Sequence, residues 1–435
     1  MGSGLEITLV FVIFLGLLAL GMSVPFAITL PGILYLYMHG GLPAFRGLGL
    51  VTWGSMNRFT LTAVPLFILM AEIMQQSGLS SRIYRGLAKI VSRVPGGLLQ
   101  TNIVGCAVFA ATTGSSVATA ASIGSVALPQ LIERKYDRKL SAGSLAAGGT
   151  LGILFPPSLA MIIYGSFTDT SVPRLFMAGV IPGLMLTAMF MIYIGIHAKL
   201  KPEVAPVILE RLGMSDIFRA MTDVLPFLVL ISGTMGGMYA GVITPTEAGA
   251  IGCLVGIVIS RIWGDLTWKL LFVAIRRTVR ILGNILFIIY SAYLFSYAIS
   301  YAGVGEEVTS FLTGLKLSRF EFFIALFLLF TVLGCLIESL GMLVLTVPLL
   351  YPVLGQYGID PIWFGIIVVL FIELGQISPP IGINLFVIQS IWDGKLKEVV
   401  IGTIPFHLIM FLLLFLLMIF PELALWLPSH MTAAP

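Results

Sequence analysis

The chain has 435 residues, of which 58% are hydrophobic and only 10% are charged, and its formal net charge is +4. Soluble domains carry about 25% charged residues, and a soluble core cannot bury this much apolar surface. The composition therefore excludes a soluble protein and predicts an all-α polytopic membrane protein. The Lys and Arg residues stand between apolar runs, which is the positive-inside pattern and not a nucleic-acid footprint.

Apolar runs recur from residue 5 to residue 427, with room for about ten or more spans of roughly 20 residues each. The first run has neither a charged segment before it nor a small-residue cleavage site, so we expect no removed signal peptide. The longest polar connection, near 199–219, is too short for a soluble domain. Any capture or enzymatic domain is therefore expected on another chain.

The chain offers no pattern for metal, thiol or nucleotide chemistry. A phosphate-cradling glycine loop is absent, and the cysteines and histidines lack ligand spacing: Cys106, Cys253, Cys335, His39, His197, His407 and His430. We therefore expect no cofactor, no ATP drive and no enzymatic activity.

The first distinctive element is an apolar stretch at about 97–132 with positive charges on both sides. The flanking residues are Arg82, Arg85, Lys89 and Arg93 before it, and Arg134, Lys135, Arg138 and Lys139 after it. Both ends are thus predicted to be cytoplasmic. Because the centre at 111–116 is polar and each arm has only about 15 residues, short for a span, a re-entrant helical hairpin fits best.

An apolar segment with a break in its middle follows, at 148–158 (GGTLGILFPPS). Two consecutive prolines remove two backbone donors and disfavour helix before them. In hydrocarbon the freed carbonyls cost several kcal/mol per group, so such a break must line a cavity or face protein. The segment is predicted to be a broken helix.

The same two elements recur later in the chain. The stretch at about 322–354 is preceded by Glu306, Glu307, Lys316, Arg319 and Glu321 and followed by Gln356, Tyr357 and Asp360. These flanks predict a second hairpin with periplasmic ends. A second broken helix is predicted at 373–382 (ELGQISPPIG).

Sliding the chain against itself by 223 residues shows that the two units are copies. Four proline pairs and two glycine pairs then coincide: Pro129 with Pro352, Pro156 and Pro157 with Pro379 and Pro380, Pro182 with Pro405, Gly152 with Gly375, and Gly179 with Gly402. Since the units have opposite predicted orientation, they form inverted repeats. Secondary transporters with this plan bind substrate near the midplane, at the repeat interface.

The hairpin tips and the broken helices are the predicted ion sites, because freed carbonyls and hydroxyls are hard oxygen ligands that suit sodium. The first predicted site comprises Gly114, Ser115, Ser116, Thr119, Gly152 and Pro156. The second comprises Glu338, Ser339, Gly341, Gly375, Gln376, Ser378 and Pro379. Half-helix N-termini suit a carboxylate, and the predicted substrate contacts are Ser115, Ser158, Ser339, Asn384 and Arg58.

Each of these residues is also compatible with a purely structural role. A single Pro-Pro pair is compatible with a simple kink, and Ser or Thr with helix packing; it is the recurrence of break and hairpin together that favours a site. Three further acidic residues, Glu72, Glu247 and Glu373, are candidates because ionisable groups within spans are usually functional. They also suit helix anchoring or an interfacial position.

Five blocks of the sequence resemble the large membrane subunit (DctM type) of the tripartite ATP-independent periplasmic, or TRAP, transporters. They are 64–72 (VPLFILMAE), 114–120 (GSSVATA), 152–158 (GILFPPS), 241–249 (GVITPTEAG) and 379–386 (PPIGINLF). The resemblance implies an elevator mechanism, sodium as coupling ion, and an organic acid as substrate. It also implies two partners, a separate small four-helix membrane subunit and a periplasmic substrate-binding protein, in the bacterial inner membrane.

The resulting organisation has four parts: scaffold helices at 5–78, a first repeat at 79–200, middle scaffold helices at 201–281 and a second repeat at 282–427. The fold class is an inverted-repeat, elevator-type transporter with two re-entrant hairpins and two broken helices. The alternative is a stand-alone sodium-coupled dicarboxylate or anion symporter of the same plan, which needs no binding protein. A membrane enzyme or a channel is less compatible with the inverted duplication.

Overall fold

The computed structural model describes residues 3–206, 213–303, 314 and 317–431. Within these ranges every regular element is a helix. Three charged residues used to orient the second unit, Glu306, Glu307 and Lys316, lie outside the described residues.

The first half contains ten α-helices, interrupted by short 3₁₀ turns at Phe45–Gly47 and Phe59–Thr62. They are α1 (Ser3–Ala19), α2 (Val24–Ala44), α3 (Leu48–Met56), α4 (Ala63–Gln76), α5 (Leu79–Val91), α6 (Leu98–Thr113), α7 (Ser116–Glu133), α8 (Arg138–Leu154), α9 (Leu159–Thr168) and α10 (Val172–Leu200).

The described part of the second half has nine more α-helices, with 3₁₀ turns at Pro202–Val204 before them and Tyr351–Tyr357 among them. They are α11 (Met214–Tyr239), α12 (Pro245–Ile262), α13 (Trp268–Tyr301), α14 (Arg319–Gly334), α15 (Ser339–Leu350), α16 (Pro361–Ile377), α17 (Ile383–Ser390), α18 (Leu396–Ile419) and α19 (Glu422–Ser429).

Eight helical segments of the described chain are long and apolar enough to cross a membrane. They are Phe59–Gln76, Arg138–Thr168, Val172–Leu200, Ser215–Tyr239, Pro245–Ile262, Trp268–Tyr301, Ser339–Tyr357 and Leu396–Ile419. This is fewer than the ten or more runs in the sequence, because some runs are divided into shorter helices. Leu98–Thr113 and Pro361–Ile377 are apolar but shorter.

The helix boundaries repeat with the same 223-residue spacing as the prolines. Helices α7 and α15 begin at Ser116 and Ser339. Helices α8 (Arg138–Leu154) and α16 (Pro361–Ile377) correspond at both ends. Each half therefore contains the same series of elements: a pair of helices, then an interrupted helix, then a long helix. The two series are α6–α10 and α14–α18.

The helices pack in two groups. We call α1–α4 and α11–α13 the flanking helices, since α13 packs on α2, α3 and α4, and α12 on α4 and α11. We call α6–α10 and α14–α18 the central helices; α8 packs on α6, α7 and α18, and α16 on α8, α10, α14 and α18. The amphipathic α5 contacts both groups, through α11 and α6.

Helix α13 crosses the predicted division at residue 282. Residues 282–301, assigned by the sequence to the second repeat, continue helix α13 from Trp268 without a break. Through that helix they pack on α2 and α4. They therefore belong, by packing, with the flanking helices.

Candidate functional site

The first helix pair turns at two residues, Gly114 and Ser115. Gly114 ends α6 in the left-handed conformation, with φ +58°, which glycine adopts without steric cost. Ser115 is the N-cap of α7, and its side chain accepts from the backbone N–H of Ala118 at 3.4 Å. The hydroxyls of Thr113 and Thr119 are 2.7 Å apart just behind this turn. The turn therefore concentrates hydroxyl and carbonyl oxygens.

This turn lies on the break between α8 and α9. The Leu159 N–H donates to the Gly114 carbonyl oxygen at 3.4 Å. A Cβ placed on Gly152 would be 2.4 Å from the Ser115 carbonyl oxygen. Because only a glycine permits this approach, α8 contacts the backbone of the turn directly. The structure thus brings Gly114, Ser115 and Gly152 together.

The break itself contains the Pro156–Pro157 pair, whose peptide bond is cis, as is that of Pro379–Pro380. Ser158 then starts α9 as its N-cap, accepting from the Met161 N–H at 3.4 Å. Pro156, Pro157 and Ser158 are all buried. Ser158, a predicted substrate contact, is thus a buried helix cap beside the first turn.

The second helix pair has the same relation to α16. Helix α14 ends at Gly334, and Glu338 is the N-cap residue of α15. A Cβ placed on Gly375 would be 2.7 Å from the Phe330 carbonyl oxygen and 3.1 Å from the Gly334 Cα. Gly341, another predicted ligand, packs against Ile337 in the same pair. Close backbone contact between a helix pair and an interrupted helix therefore occurs in both halves.

The two halves differ at their prolines. Pro379 and Pro380 are exposed, in contrast to the buried first pair. Beside them the Ser378 hydroxyl donates to the Leu374 carbonyl at 2.7 Å and lies 3.4 Å from His407 Nε2. The second break therefore places Ser378, but not Pro379, in the protein interior.

Two buried polar side chains of α16 have no hydrogen-bond partner in the described part of the chain. They are Glu373 and Gln376, one turn apart, and all their side-chain oxygen and nitrogen atoms are unpartnered. Both residues are fully buried. Buried polar groups usually have a partner, so the Gln376 oxygen is a candidate cation ligand.

The two turns meet in one cavity of about 340 Å³. The first pair contributes Thr113, Gly114, Ser115, Val117, Ala118 and Ala121, α9 contributes Leu159, and the second turn contributes Glu338, Ser339 and Leu340. The opposite wall comes from the flanking helices α4 and α13: Ile68, Ala71, Glu72, Gln75, Ile281, Asn284 and Ile285. The cavity therefore lies between the central and the flanking helices.

Asn384 connects the repeats without lining this cavity. It is fully buried in α17, and its Nδ2 donates to the Ser116 hydroxyl at 2.6 Å and to the Ala146 carbonyl at 3.4 Å. Its Oδ1 has no partner within the described residues. A predicted substrate contact thus holds the helix start at the first turn.

Arg58 lies away from the cavity, before the 3₁₀ turn that leads into α4. Its Nη1 donates to Asp169 Oδ1 at 2.8 Å and to the Ser166 carbonyl at 2.5 Å. The guanidinium also lies 5.5 Å from the centre of the Tyr293 ring. These contacts join the end of α9 to the flanking helices, so the structure gives Arg58 a bridging position.

Two polar residues of the cavity, Gln75 and Asn284, were not identified from the sequence. Each is an amide in or at the end of an otherwise apolar run, a signal that could have singled them out. Glu72, singled out as an acidic residue, lines the cavity beside them. Glu247 instead closes a capping box with Thr244 at the start of α12.

The donors that could hold a cation are uncharged oxygens for the most part. No group of three or more His, Cys, Asp or Glu side chains occurs among the described residues. At the first turn the available donors are the Ser115 carbonyl and the Ser116 and Thr119 hydroxyls. Such hard oxygen ligands suit alkali and alkaline-earth cations better than softer metals.

Residues 11–423 match the family model described as "Tripartite ATP-independent periplasmic transporter, DctM component". The chain is 31% identical over 448 residues to the C4-dicarboxylate TRAP transporter large permease protein DctM of Vibrio cholerae, covering 98% of both chains. It is 28% identical over 419 residues to the sialic acid TRAP transporter large permease protein SiaM of the same organism, covering 95% and 96%. The family resemblance seen in the sequence is confirmed.

Two solved transporter structures share the fold. The Alcanivorax borkumensis YdaH transporter gives a TM-score of 0.62 at 16% identity, covering 89% of this chain and 90% of that chain. Neisseria gonorrhoeae MtrF gives 0.59 at 15% identity, covering 90% and 85%. At these identities the likeness concerns the fold alone.

Proposed function

We propose that this chain, which belongs to the DctM-component family of tripartite ATP-independent periplasmic (TRAP) transporters, imports an organic acid by sodium symport. Family membership makes it the large permease of a transporter, not an enzyme, and places it in the bacterial inner membrane. Sodium coupling, the elevator mechanism and the partner proteins are the proposed parts.

The meeting of the two turns in one cavity is the observation that carries this proposal. Helices α7 and α15 begin at these turns, with Ser115 and Glu338 as their N-cap residues, and both caps line the cavity. Helix N-termini carry partial positive charge and free N–H groups, which bind carboxylates. Two such ends facing one space support an organic acid bound between the repeats.

The substrate class is supported by the names of the relatives. Those relatives are large permeases for C4-dicarboxylates, for sialic acid and, in Escherichia coli, for 2,3-diketo-L-gulonate. All of these substrates are organic acids. We propose a substrate of that class for this chain.

The proposed sodium sites lie behind the turns. The first uses oxygens of Gly114, Ser115, Ser116 and Thr119 with the break after Gly152; the second uses those of Glu338 and Ser339 with Gly375, Gln376 and Ser378. Sodium at these positions adds positive charge beside the cavity, and so strengthens carboxylate binding. This reciprocal dependence is the physical basis of symport.

We propose further that the two helix pairs are re-entrant hairpins, and that the central helices move against the flanking helices as an elevator. The cavity lies near the C-terminal end of α4 and near Asn284, on the side marked by Arg276, Arg277 and Arg280. The positive-inside rule makes that side cytoplasmic. The Arg58–Asp169 bridge lies at the other end of α4, which supports our proposal that this conformation faces the cytoplasm.

Two partners belong to the proposal: a small four-helix TRAP membrane subunit and a periplasmic substrate-binding protein. The alternative is a stand-alone sodium–dicarboxylate or anion symporter. It is favoured by one observation, that both turns and the cavity belong to this single chain, so that the proposed transport site needs no second subunit.

Uptake in liposomes separates these functions. The chain and the small subunit are reconstituted, and uptake of the binding protein's ligand is measured with and without a sodium gradient and with and without the binding protein. Uptake that needs both supports the tripartite symporter. Sodium-driven uptake without the binding protein supports the stand-alone symporter, and sodium-independent uptake contradicts both.

A further inference from the structure

We infer that an anionic phospholipid binds at the cytoplasmic end of α10, with its phosphate group in a cavity lined by Arg93 and Lys199 and its acyl chains on the exposed face of that helix. This inference goes beyond the proposed function, because it concerns neither the transported acid nor the coupling ion. It assigns a lipid site to the central helices.

Two parts of the chain that are distant in sequence form this cavity, which has a volume of about 300 Å³. The turn between α5 and α6 contributes residues 92–97, and the end of α10 with the segment after it contributes Ala198, Lys199, Pro202, Ala205 and Pro206. The positive charges in both parts predict a cytoplasmic position for each. The cavity therefore lies at the cytoplasmic surface of the membrane.

The α5–α6 turn is held against α10 by close contacts. Gly96 has a φ of +108°, and a Cβ placed on it would be 2.5 Å from the Ile194 Cγ2. The side chain of Gln100 in α6 donates to the Pro95 carbonyl at 2.8 Å and to the Met191 carbonyl at 2.9 Å. These contacts fix the two walls of the cavity relative to each other.

The cavity is positively charged. Among the described residues that line it, the charged ones are Arg93 and Lys199, and neither Asp nor Glu is present. Neither cation forms a salt bridge within the described part of the chain. Ser92 adds a hydroxyl group to the lining, and α6 begins with its positive dipole end just after the turn. Such a combination suits a phosphate group.

An apolar stripe on α10 leads to the cavity. It consists of Leu184, Ile192, Ile196 and Leu200, which are 55–76% exposed. Their spacing of four and eight residues puts them on one face of the helix, and Lys199 lies beside this face, three residues after Ile196.

The stripe and the cavity together match the two parts of a phospholipid. Its acyl chains cover an exposed apolar face within the membrane, and its phosphate lies at the membrane surface. A soluble anion would use the cavity but not the stripe. Basic pockets between membrane helices on the cytoplasmic side bind anionic headgroups in this way, so the charge and the stripe favour a lipid.

The test measures lipid binding to the full chain, purified in an uncharged detergent, by native mass spectrometry. Phosphatidylglycerol is compared with phosphatidylcholine that has the same acyl chains. Wild type is expected to bind phosphatidylglycerol at least about tenfold more tightly, because each of the two cations attracts an anionic headgroup. In the Arg93→Gln/Lys199→Gln double variant, this preference is expected to fall at least about tenfold.

The matched control is the Arg85→Gln/Lys135→Gln double variant. It removes the same charge from two exposed residues of the cytoplasmic side that do not line the cavity, and it is expected to keep the wild-type preference. Because all four replaced side chains are exposed, both double variants are expected to keep the wild-type thermal midpoint in the absence of added lipid.

Inorganic phosphate separates a lipid site from a site for a soluble anion, because it lacks acyl chains. It is expected not to displace phosphatidylglycerol at equal concentration. Displacement assigns the cavity to a soluble anion and overturns the inference. Equal binding of the two lipids, or an unchanged preference in the Arg93→Gln/Lys199→Gln variant, also overturns it. These results leave the proposed function intact, since sodium-dependent uptake is measured separately.

Discussion

At the scale of single residues, Ser116 connects the first turn to the second repeat. It is fully buried at the start of α7, and its hydroxyl accepts from Asn384 at 2.6 Å. Removal of the hydroxyl leaves the Asn384 amide with one long hydrogen bond, to the Ala146 carbonyl. The first proposed sodium site thereby loses a ligand and an orienting contact.

We predict that Ser116→Ala raises the half-saturating sodium concentration for uptake by about tenfold, since a hydrogen bond to a charged group contributes about 1.5 kcal/mol or more. Ser339→Ala is expected to act in the same direction at the second site. Ser125→Ala is the control, because its exposed hydroxyl only donates to the Ser122 carbonyl of its own helix. Unchanged sodium dependence in both test variants contradicts the assignment of the sites.

Replacing Arg58 by alanine shows whether this residue contacts the substrate or only connects two groups of helices. The bonds of Arg58 to Asp169 and Ser166 indicate that it joins α9 to the flanking helices. In that case we expect Arg58→Ala to change the maximal uptake rate and to leave the substrate KM within about twofold, because the bridge acts on the conformational equilibrium. If it binds the carboxylate, the KM rises at least about tenfold. Uptake kinetics with Arg174→Ala, an exposed arginine of α10, as control decide between these roles.

Sequence reasoning identified the residues of the turns and missed part of the opposite wall. Gly114, Ser115, Glu338 and Ser339 were found because they recur with a repeat and interrupt apolar runs, and all four line the cavity. Gln75 and Asn284 lie on flanking helices with no repeated motif, so only the packing of α4 and α13 reveals them. Asn384 and Ser158 were predicted as substrate contacts because they lie close to the prolines in the sequence. Closeness in the sequence does not distinguish a substrate contact from a buried structural hydrogen bond.

At the scale of elements, the contact between the first turn and α8 depends on Gly152. A Cβ there would be 2.4 Å from the Ser115 carbonyl oxygen and 2.7 Å from the Thr119 hydroxyl. Since one of these atoms is backbone, the turn has to shift. We predict that Gly152→Ala lowers uptake at least about tenfold and destabilises the protein by about 1–3 kcal/mol, seen as a lower thermal midpoint.

The control is Gly236→Ala in α11, where a Cβ meets no atom within 4 Å. There alanine improves helix propensity by about 0.8–1 kcal/mol, so the thermal midpoint stays or rises. A Gly152→Ala variant with wild-type uptake and midpoint contradicts the close contact between turn and helix.

The helical elements of the repeats followed from the sequence to a large extent. Paired prolines and glycines predicted the register in which α8 and α16 correspond at both ends. Helix α13 runs without a break from Trp268 to Tyr301, across the predicted boundary at residue 282, and hydrophobicity alone does not show this continuity. The exposure of Pro379 also has no sequence signal, since it depends on which helices cover each break.

At the scale of the whole molecule, the proposed sodium symporter consists of two repeats whose two turns meet in one cavity. Each repeat contributes one helix start to the cavity and one proposed ion site behind it. We therefore predict at least two sodium ions per substrate, because each repeat supplies one of the two proposed ion sites.

The most direct test is the coupling ratio of the reconstituted transporter. Liposomes containing the large and small subunits, with binding protein outside, are held at a set membrane potential, and the sodium gradient at which net substrate flux is zero is determined. We predict a ratio of at least two sodium ions per substrate, and a lower ratio when Ser116 or Ser339 is replaced by alanine. A ratio of one, or flux independent of the sodium gradient, contradicts it.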